Sequence, residues 1–223
     1  MMKTCYMCEK ESTSVEHAPP RCIFPKQKDL QSGENYRLNL ITVPSCDEHN
    51  TQKSKEDEYL LYILPSTVGA NEVGLNQFLT KVQRAIVYKP SLGSQIANNP
   101  IPVKIHDTKT NLLSDAVALE IDIGRIQDAL EKTARAIYFH HTNKKHMGSV
   151  SVVGNFSLNL QNILLNEQSA ALFETADVLL ESQQYYGNNQ KVFKYRFVQT
   201  GEIGILDLTF YGSNRALAVM NNG

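Results

Sequence analysis

Apolar and polar positions divide the chain into short β-like stretches and longer helical ones. "SVEH" at 14–17 and "RLNLITVP" at 37–44, where Leu38, Leu40 and Thr42 alternate, predict two short strands. The next residues, Ser45-Cys46-Asp47-Glu48, have the form of a capping box, with Ser45 as N-cap and Glu48 three positions on. The helix that it opens runs through "HNTQKSKEDEYLLYIL" and stops before Pro65. Residues 71–89 place Val73, Phe78, Val82 and Ile86 on one side of a second helix, and "KPSLGSQIANNPIP" reads as loop. "AVALEID" predicts a strand. Residues 123–141 carry Ile123, Ile126, Leu130, Ala134 and Ile137 at helical spacing.

Toward the C-terminus, "SVSVVG" reads as a strand and "EQSAALFETADVLLESQ" as a helix. "KVFKYRFV", "IGILDLTFYG" and "RALAVM" read as three strands joined at Thr200-Gly201 and Gly212-Ser213 turns. The pattern predicts an α+β chain that ends in an antiparallel β meander. A seam falls between residues 65 and 100, so the expected division is 1–64 and 65–223.

Length and composition narrow this picture modestly. The 223 residues suit one large or two small domains, with a formal charge of −1. No apolar run is long enough to span a bilayer, and "MMKTCYMCEK" has no secretory apolar region, so a cytoplasmic location is expected. In such a compartment four cysteines favour metal binding or burial over disulfides.

Three of those cysteines have metal-ligand spacing. Cys5-Tyr6-Met7-Cys8 and Cys46-Asp47-Glu48-His49 each leave two residues between donors, so that a tight knuckle can aim both at one ion. Together they offer the three sulfurs and one imidazole of a closed structural zinc shell. Cys22, alone in "RCIFPK", is expected to pack rather than ligate.

Charge is segregated. The first sixty residues hold 8 Lys/Arg against 10 Asp/Glu, a net of −2, whereas residues 73–106 and 132–166 hold basic residues and no acid. Arg84 and Lys89 in the first stretch, and Lys144 and Lys145 in the second, are the expected contacts to nucleic-acid phosphates if the stretches share a face. The alternative is scattered solvated side chains. His140, His141 and His146 diverge on a helix end and are not expected to share a metal. The aromatic residues Phe193, Tyr195, Phe197, Phe210 and Tyr211 are expected in the core.

Val15-Glu16-His17-Ala18-Pro19-Pro20 brings these observations to a family. Glu16-His17-Ala18-Pro19-Pro20, then Val43-Pro44-Ser45-Cys46-Asp47-Glu48-His49-Asn50, then Ser54-Lys55-Glu56-Asp57-Glu58-Tyr59 resemble the His–Asn–His (HNH), or ββα-metal, nucleases. The likeness covers about 60 of the 223 residues. It is to a subgroup written EHxPP, VPxCxxCN and SKxxEY, with His49 standing where that subgroup has Cys.

The resemblance implies an N-terminal ββα-metal zinc module and a divalent-metal-dependent endonuclease that hydrolyses phosphodiesters, most naturally in double-stranded DNA. It implies His17 as general base, with Asn50 and Glu16 as ligands of a catalytic Mg²⁺ or Mn²⁺, beside structural Zn²⁺ on Cys5, Cys8, Cys46 and His49. Asn39 is the nearest counterpart of the asparagine that orients the base. Asp57 and Glu58 follow Asn50 by seven and eight positions, about 10–12 Å along a helix. They are therefore expected on a solvated face, with a Lys53–Asp57 pair, rather than on the ion with Asn50. The family's bacterial and phage members imply defence or genome-processing roles, and residues 65–223 are expected to bind nucleic acid, a protein partner or a second copy. The alternative reading is a zinc-stabilised nucleic-acid-binding module without catalysis.

Overall fold

The computed structural model describes residues 3–30, 33–51, 54–96, 99–107 and 110–222. Its first two strands, β1 (Ser14–His17) and β2 (Thr42–Ser45), pair antiparallel, with Glu16 opposite Val43 and His17 opposite Thr42. β2 is shorter than the alternation of Leu38 and Leu40 predicts, because the chain turns at Asn39, whose φ is 51°. Helix α1 (Asp47–Thr51) follows directly, then α2 (Ser54–Ile63). The capping box is not formed as read. Ser45 belongs to the strand, Cys46 supplies the carbonyl that receives the Asn50 N–H, and Glu48 pairs with Lys10 instead.

Beyond Pro65, α3 (Glu72–Gln77) is capped by Asn71, whose side chain accepts from the Val73 and Gly74 N–H groups. A π-helical turn (Phe78–Val82) joins α3 to α4 (Gln83–Tyr88). The segment expected as loop holds a further helix, α5 (Pro90–Ile96), and β3 (Ile101–Asp107). β3 forms a two-stranded hairpin with β4 (Leu112–Ala118), most of whose side chains are exposed.

Helix α6 (Ile123–Thr142) is the long axis of the core. It is capped by Asp122 at one end and by left-handed Asn143 at the other, and it buries Ile126, Leu130, Ala134 and Ile137. Strand β5 (Ser149–Gly154), helix α7 (Ile163–Leu179) and strands β6 (Phe193–Thr200), β7 (Ile203–Phe210) and β8 (Asn214–Asn221) complete the chain. The last three form the expected meander. β5 adds beside β8, giving one antiparallel four-stranded sheet in the order β5-β8-β7-β6. Phe193, Tyr195, Phe197, Phe210 and Tyr211 are all buried, as core residues.

α7 lies against this sheet through a charged cluster. Asp207, fully buried, accepts from Arg196 and Arg215, and both arginines also reach Asp177 of α7. A single hydrophobic core joins residues on both sides of position 64. Tyr6, Leu60 and Leu64 pack in one cluster with Val82, Ile126, Ile137 and Tyr211. No helix among the described residues is long and apolar enough to cross a membrane.

Candidate functional site

The N-terminal segment folds into a knuckle because the Cys5 N–H bonds the Lys10 carbonyl, while the Tyr6 N–H bonds Pro44 of β2. This carries Cys5 and Cys8 to the start of α1, where Cys46 and His49 wait one helical turn apart. His49 Nδ1 lies 3.4, 3.6 and 3.3 Å from the sulfurs of Cys5, Cys8 and Cys46, and Cys8 Sγ lies 3.9 Å from Cys46 Sγ. A tetrahedron with zinc–sulfur bonds near 2.3 Å and a zinc–nitrogen bond near 2.05 Å has edges of about 3.6–3.8 Å. The four donors thus have the separation of a tetrahedral shell, and the cluster fits a structural metal such as zinc.

The electrostatics agree. Burial raises the Cys5 thiol, but hydrogen bonds from the Met7 and Cys46 backbone and from neighbouring side chains bring it down to about 7, which favours the ligating thiolate. Lys145, on the segment after α6, holds the knuckle from outside, donating to the Cys8 carbonyl at 2.7 Å and to Glu9 at 2.9 Å. Cys22 is not part of the cluster; its thiol donates to the Asp57 carbonyl at 3.3 Å.

Next to the cluster in sequence, Asn50 opens onto a cleft of about 430 Å³. Val15, Glu16 and His17 line it from β1, Arg21 and Cys22 from a 3₁₀ turn (Arg21–Ile23), Asp57, Glu58 and Tyr62 from α2, and Lys81 from the π turn. Three consecutive strand residues contribute although neighbours alternate faces, so the cleft runs along the edge of β1 rather than over one face. The adjacent Glu16 and His17 of "VEHAPP" therefore meet one space. Asp57 and Glu58, expected on a solvated surface, border it too. The Lys53 partner proposed for Asp57 lies outside the described residues.

Each polar group of the cleft has a distinct setting. Glu16 is buried. Burial lowers the His17 pKa below the ordinary value, the Arg21 guanidinium lowers it further, and Glu16 opposes them. His17 is therefore neutral near pH 7. The Asn50 amide donates to Ser14 Oγ at 2.9 Å, and Ser14 Oγ in turn donates to the Ser45 carbonyl at 3.1 Å, which fixes the orientation of the amide. Glu58 accepts from Tyr62 at 2.5 Å.

Among the described residues, only Cys5, Cys8, Cys46 and His49 form a group of three or more His, Cys or carboxylate donors close enough to share an ion. Glu16 and Asn50 both line the cleft, and Glu16 belongs to no such group.

Other expected contacts are placed differently. Asn39 is exposed in its left-handed turn and borders a separate small crevice beside Asn188 and Asn189, not the His17 cleft. Arg84 is ion-paired to Asp29 at 2.9 Å, and Lys145 is engaged by the knuckle, whereas Lys89 and Lys144 are exposed. His146 is buried against the Ser149 carbonyl and His141 meets Tyr195 Oη at 3.3 Å, so the three histidines do not converge. Arg21 and Lys81 were missed as neighbours of His17. Arg21 stands four residues beyond His17, and Lys81 is brought in from a distant helical turn. No protein-family model, curated protein or solved structure matches this chain.

Proposed function

We propose that the protein is a divalent-metal-dependent endonuclease of the HNH type, hydrolysing phosphodiester bonds in DNA, with β1, β2 and α1 acting as a zinc-stapled ββα module. The observation that carries this reading is the convergence of Glu16, His17 and Asn50 on one cleft, while His49 of the Cys3His cluster sits on the same short helix as Asn50. Phosphodiester hydrolysis asks for a neutral base near a water, and His17 is held neutral by burial and by Arg21. It also asks for charge neutralisation at the phosphoryl oxygens, which a bound Mg²⁺ or Mn²⁺ supplies.

Glu16 and Asn50 would hold that ion by their oxygens, Asn50 oriented by Ser14. His17 takes a proton from the attacking water as its oxygen bonds to phosphorus. The bond from phosphorus to the leaving ribose oxygen breaks, and that oxygen takes a proton from solvent. Incubation of plasmid and linear DNA with Mg²⁺ or Mn²⁺, beside a His17→Ala protein prepared identically, tests the proposal. Metal-dependent cutting that is lost in the variant supports it. DNA binding without cutting by either protein replaces it with a non-catalytic zinc module.

A further inference from the structure

The cleft lining includes two cations, Arg21 and Lys81, and the turn that carries Arg21 is held from several distant parts of the chain. The 3₁₀ turn after Pro20 has its carbonyls held by side chains from distant parts of the chain. Lys81 Nζ donates to the Cys22 carbonyl at 2.9 Å, and Gln77 Nε2 reaches the Cys22 and Ile23 carbonyls at 3.1 and 3.4 Å. Tyr211 Oη donates to Ile23, and Arg37 Nε to the Phe24 carbonyl at 2.9 Å. Gln77 is wholly buried and Tyr211 fully so, which makes the turn a rigid platform. Three cations lie on or beside it: exposed Arg21 on the turn itself, Lys81 bound to the Cys22 carbonyl, and Arg37 bound to the carbonyl of Phe24, the residue that follows the turn.

These cations oppose one another. Burial lowers the Lys81 pKa, with Arg37 and Lys26 adding and Cys22 and Asp29 opposing; burial likewise lowers that of Arg37, with Arg21 adding and Cys22, Asp29 and Tyr211 opposing. The nearby Asp29 carboxylate is paired with Arg84. Glu16, Asp57 and Glu58 line the same cleft, so Arg21 and Lys81 supply the positive part of a mixed lining, where a phosphate can be held by charge-assisted hydrogen bonds. Arg21 and Lys81 border the same cleft as His17.

We infer that Arg21 and Lys81 form a phosphate-binding subsite, which seats a backbone phosphate of the substrate next to the one positioned at His17. This rests on the nuclease reading and deepens it. The substrate class is a polyphosphodiester chain with at least two successive phosphates, held by its backbone and not by its bases. Arg21, exposed and planar, grips the phosphate with two N–H groups. Lys81, half-buried, offers a point charge from the cleft floor.

Binding of a short fluorescein-labelled DNA, single-stranded and duplex, is measured by anisotropy over a range of salt. The His17→Ala background is used so that hydrolysis does not intrude. Arg21→Ala weakens binding about tenfold, as expected for one charge-assisted contact, and lowers the salt slope by about 0.7–0.9. Arg21→Lys restores the slope and part of the affinity. Lys81→Met acts in the same direction, with circular dichroism checking that the turn remains folded.

An Arg21→Ala protein with the affinity and salt slope of its parent overturns the subsite, whatever the Lys81 variant does. Because binding is read without cleavage, the two ideas fail separately. A protein that cuts no DNA yet loses affinity on Arg21→Ala keeps the subsite and loses the nuclease. One that cuts DNA in a His17-dependent way with binding indifferent to Arg21 keeps the nuclease and loses the subsite.

Discussion

Asn50 Nδ2 lies 2.9 Å from Ser14 Oγ, so the first residue of β1 orients the amide of α1 that borders the cleft. Ser14 uses its own proton on the Ser45 carbonyl and accepts from Asn50 with a lone pair. The serine thus links both strands to the helix through one hydroxyl.

Ser14→Ala removes that hydroxyl while the strand pairing of position 14 with Ser45 stays in place. A hydrogen bond of this kind is worth about 1 kcal/mol, or roughly fivefold in an equilibrium. The Mg²⁺ or Mn²⁺ concentration for half-maximal cleavage is expected to rise by about that factor, with zinc content unchanged. A titration of cleavage against metal, alongside elemental analysis, checks both halves. Asn50→Ala should raise the requirement further and also leave zinc in place.

The Cys3His cluster predicts one zinc per chain. Cys46→Ser removes a donor at the start of α1, so zinc, helix position and activity should fall together, because a structural zinc contributes directly to folding. His49→Cys should keep zinc, since a thiolate serves as well at that vertex. Cys22→Ser should also keep it, as Cys22 bonds the Asp57 carbonyl outside the cluster. Metal analysis after dialysis against chelator separates the three; a zinc-free parent, or zinc lost with Cys22, contradicts the assignment.

What could be read from the sequence divides along a physical line. Cys5, Cys8, Cys46 and His49 were legible because two-residue gaps fix donor geometry locally. Helix α6 was legible because Ile126, Leu130, Ala134 and Ile137 repeat with its turn. Of the β3–β4 hairpin only the end was legible, as Ala116–Ala118 of "AVALEID"; Pro102 falls within β3, and most of the hairpin is exposed, so it leaves little apolar pattern. The charge of a side chain does not reveal its partner. Arg84 pairs with Asp29 from 55 positions away and Lys145 with Glu9 from 136, contacts that no local pattern announces. Asn39 looked like a strand residue, yet it occupies a left-handed turn that short polar side chains tolerate. Lys81 reached the cleft only once the π turn was packed on the 3₁₀ turn, whereas Arg21 lies just four residues beyond His17.

Asp207 offers a test of how α7 is held. Its carboxylate is fully buried and bonds Arg196 and Arg215, both of which also bind Asp177 on α7. Asp207→Ala leaves two poorly solvated guanidinium groups with only the half-exposed Asp177 between them. Breaking a buried pair in this way costs about 3–5 kcal/mol. Thermal or urea denaturation should show a loss of that size. Asp177→Ala, at the more exposed end of the cluster, should cost less. Equal losses would place the two aspartates on the same footing and contradict their difference in burial.

The last prediction concerns pH. His17 acts as base only when neutral. Its pKa is lowered, first by burial and then by Arg21, against the opposing pull of Glu16. A lowered histidine pKa keeps the neutral form dominant above the ordinary value of 6.5, so cleavage should be flat with respect to His17 at neutral pH. As pH falls through the shifted value, the imidazole is protonated and the rate should drop about tenfold per unit, with a midpoint below 6.5. Stability moves in the same direction. The unfolded chain takes up the proton first, so the contribution of a neutral His17 is full above 6.5 and is lost as pH falls through the folded value. Arg21→Ala removes one of the three lowering influences, beside burial and Arg37, and should move the cleavage midpoint upward, toward 6.5. His17→Ala should abolish this limb and reduce the rate by about 10²–10⁴. A pH–rate profile of the parent and both variants decides the matter. A parental midpoint above 6.5, or the same acidic limb in His17→Ala, would assign the titration to another group and remove His17 from the role of base.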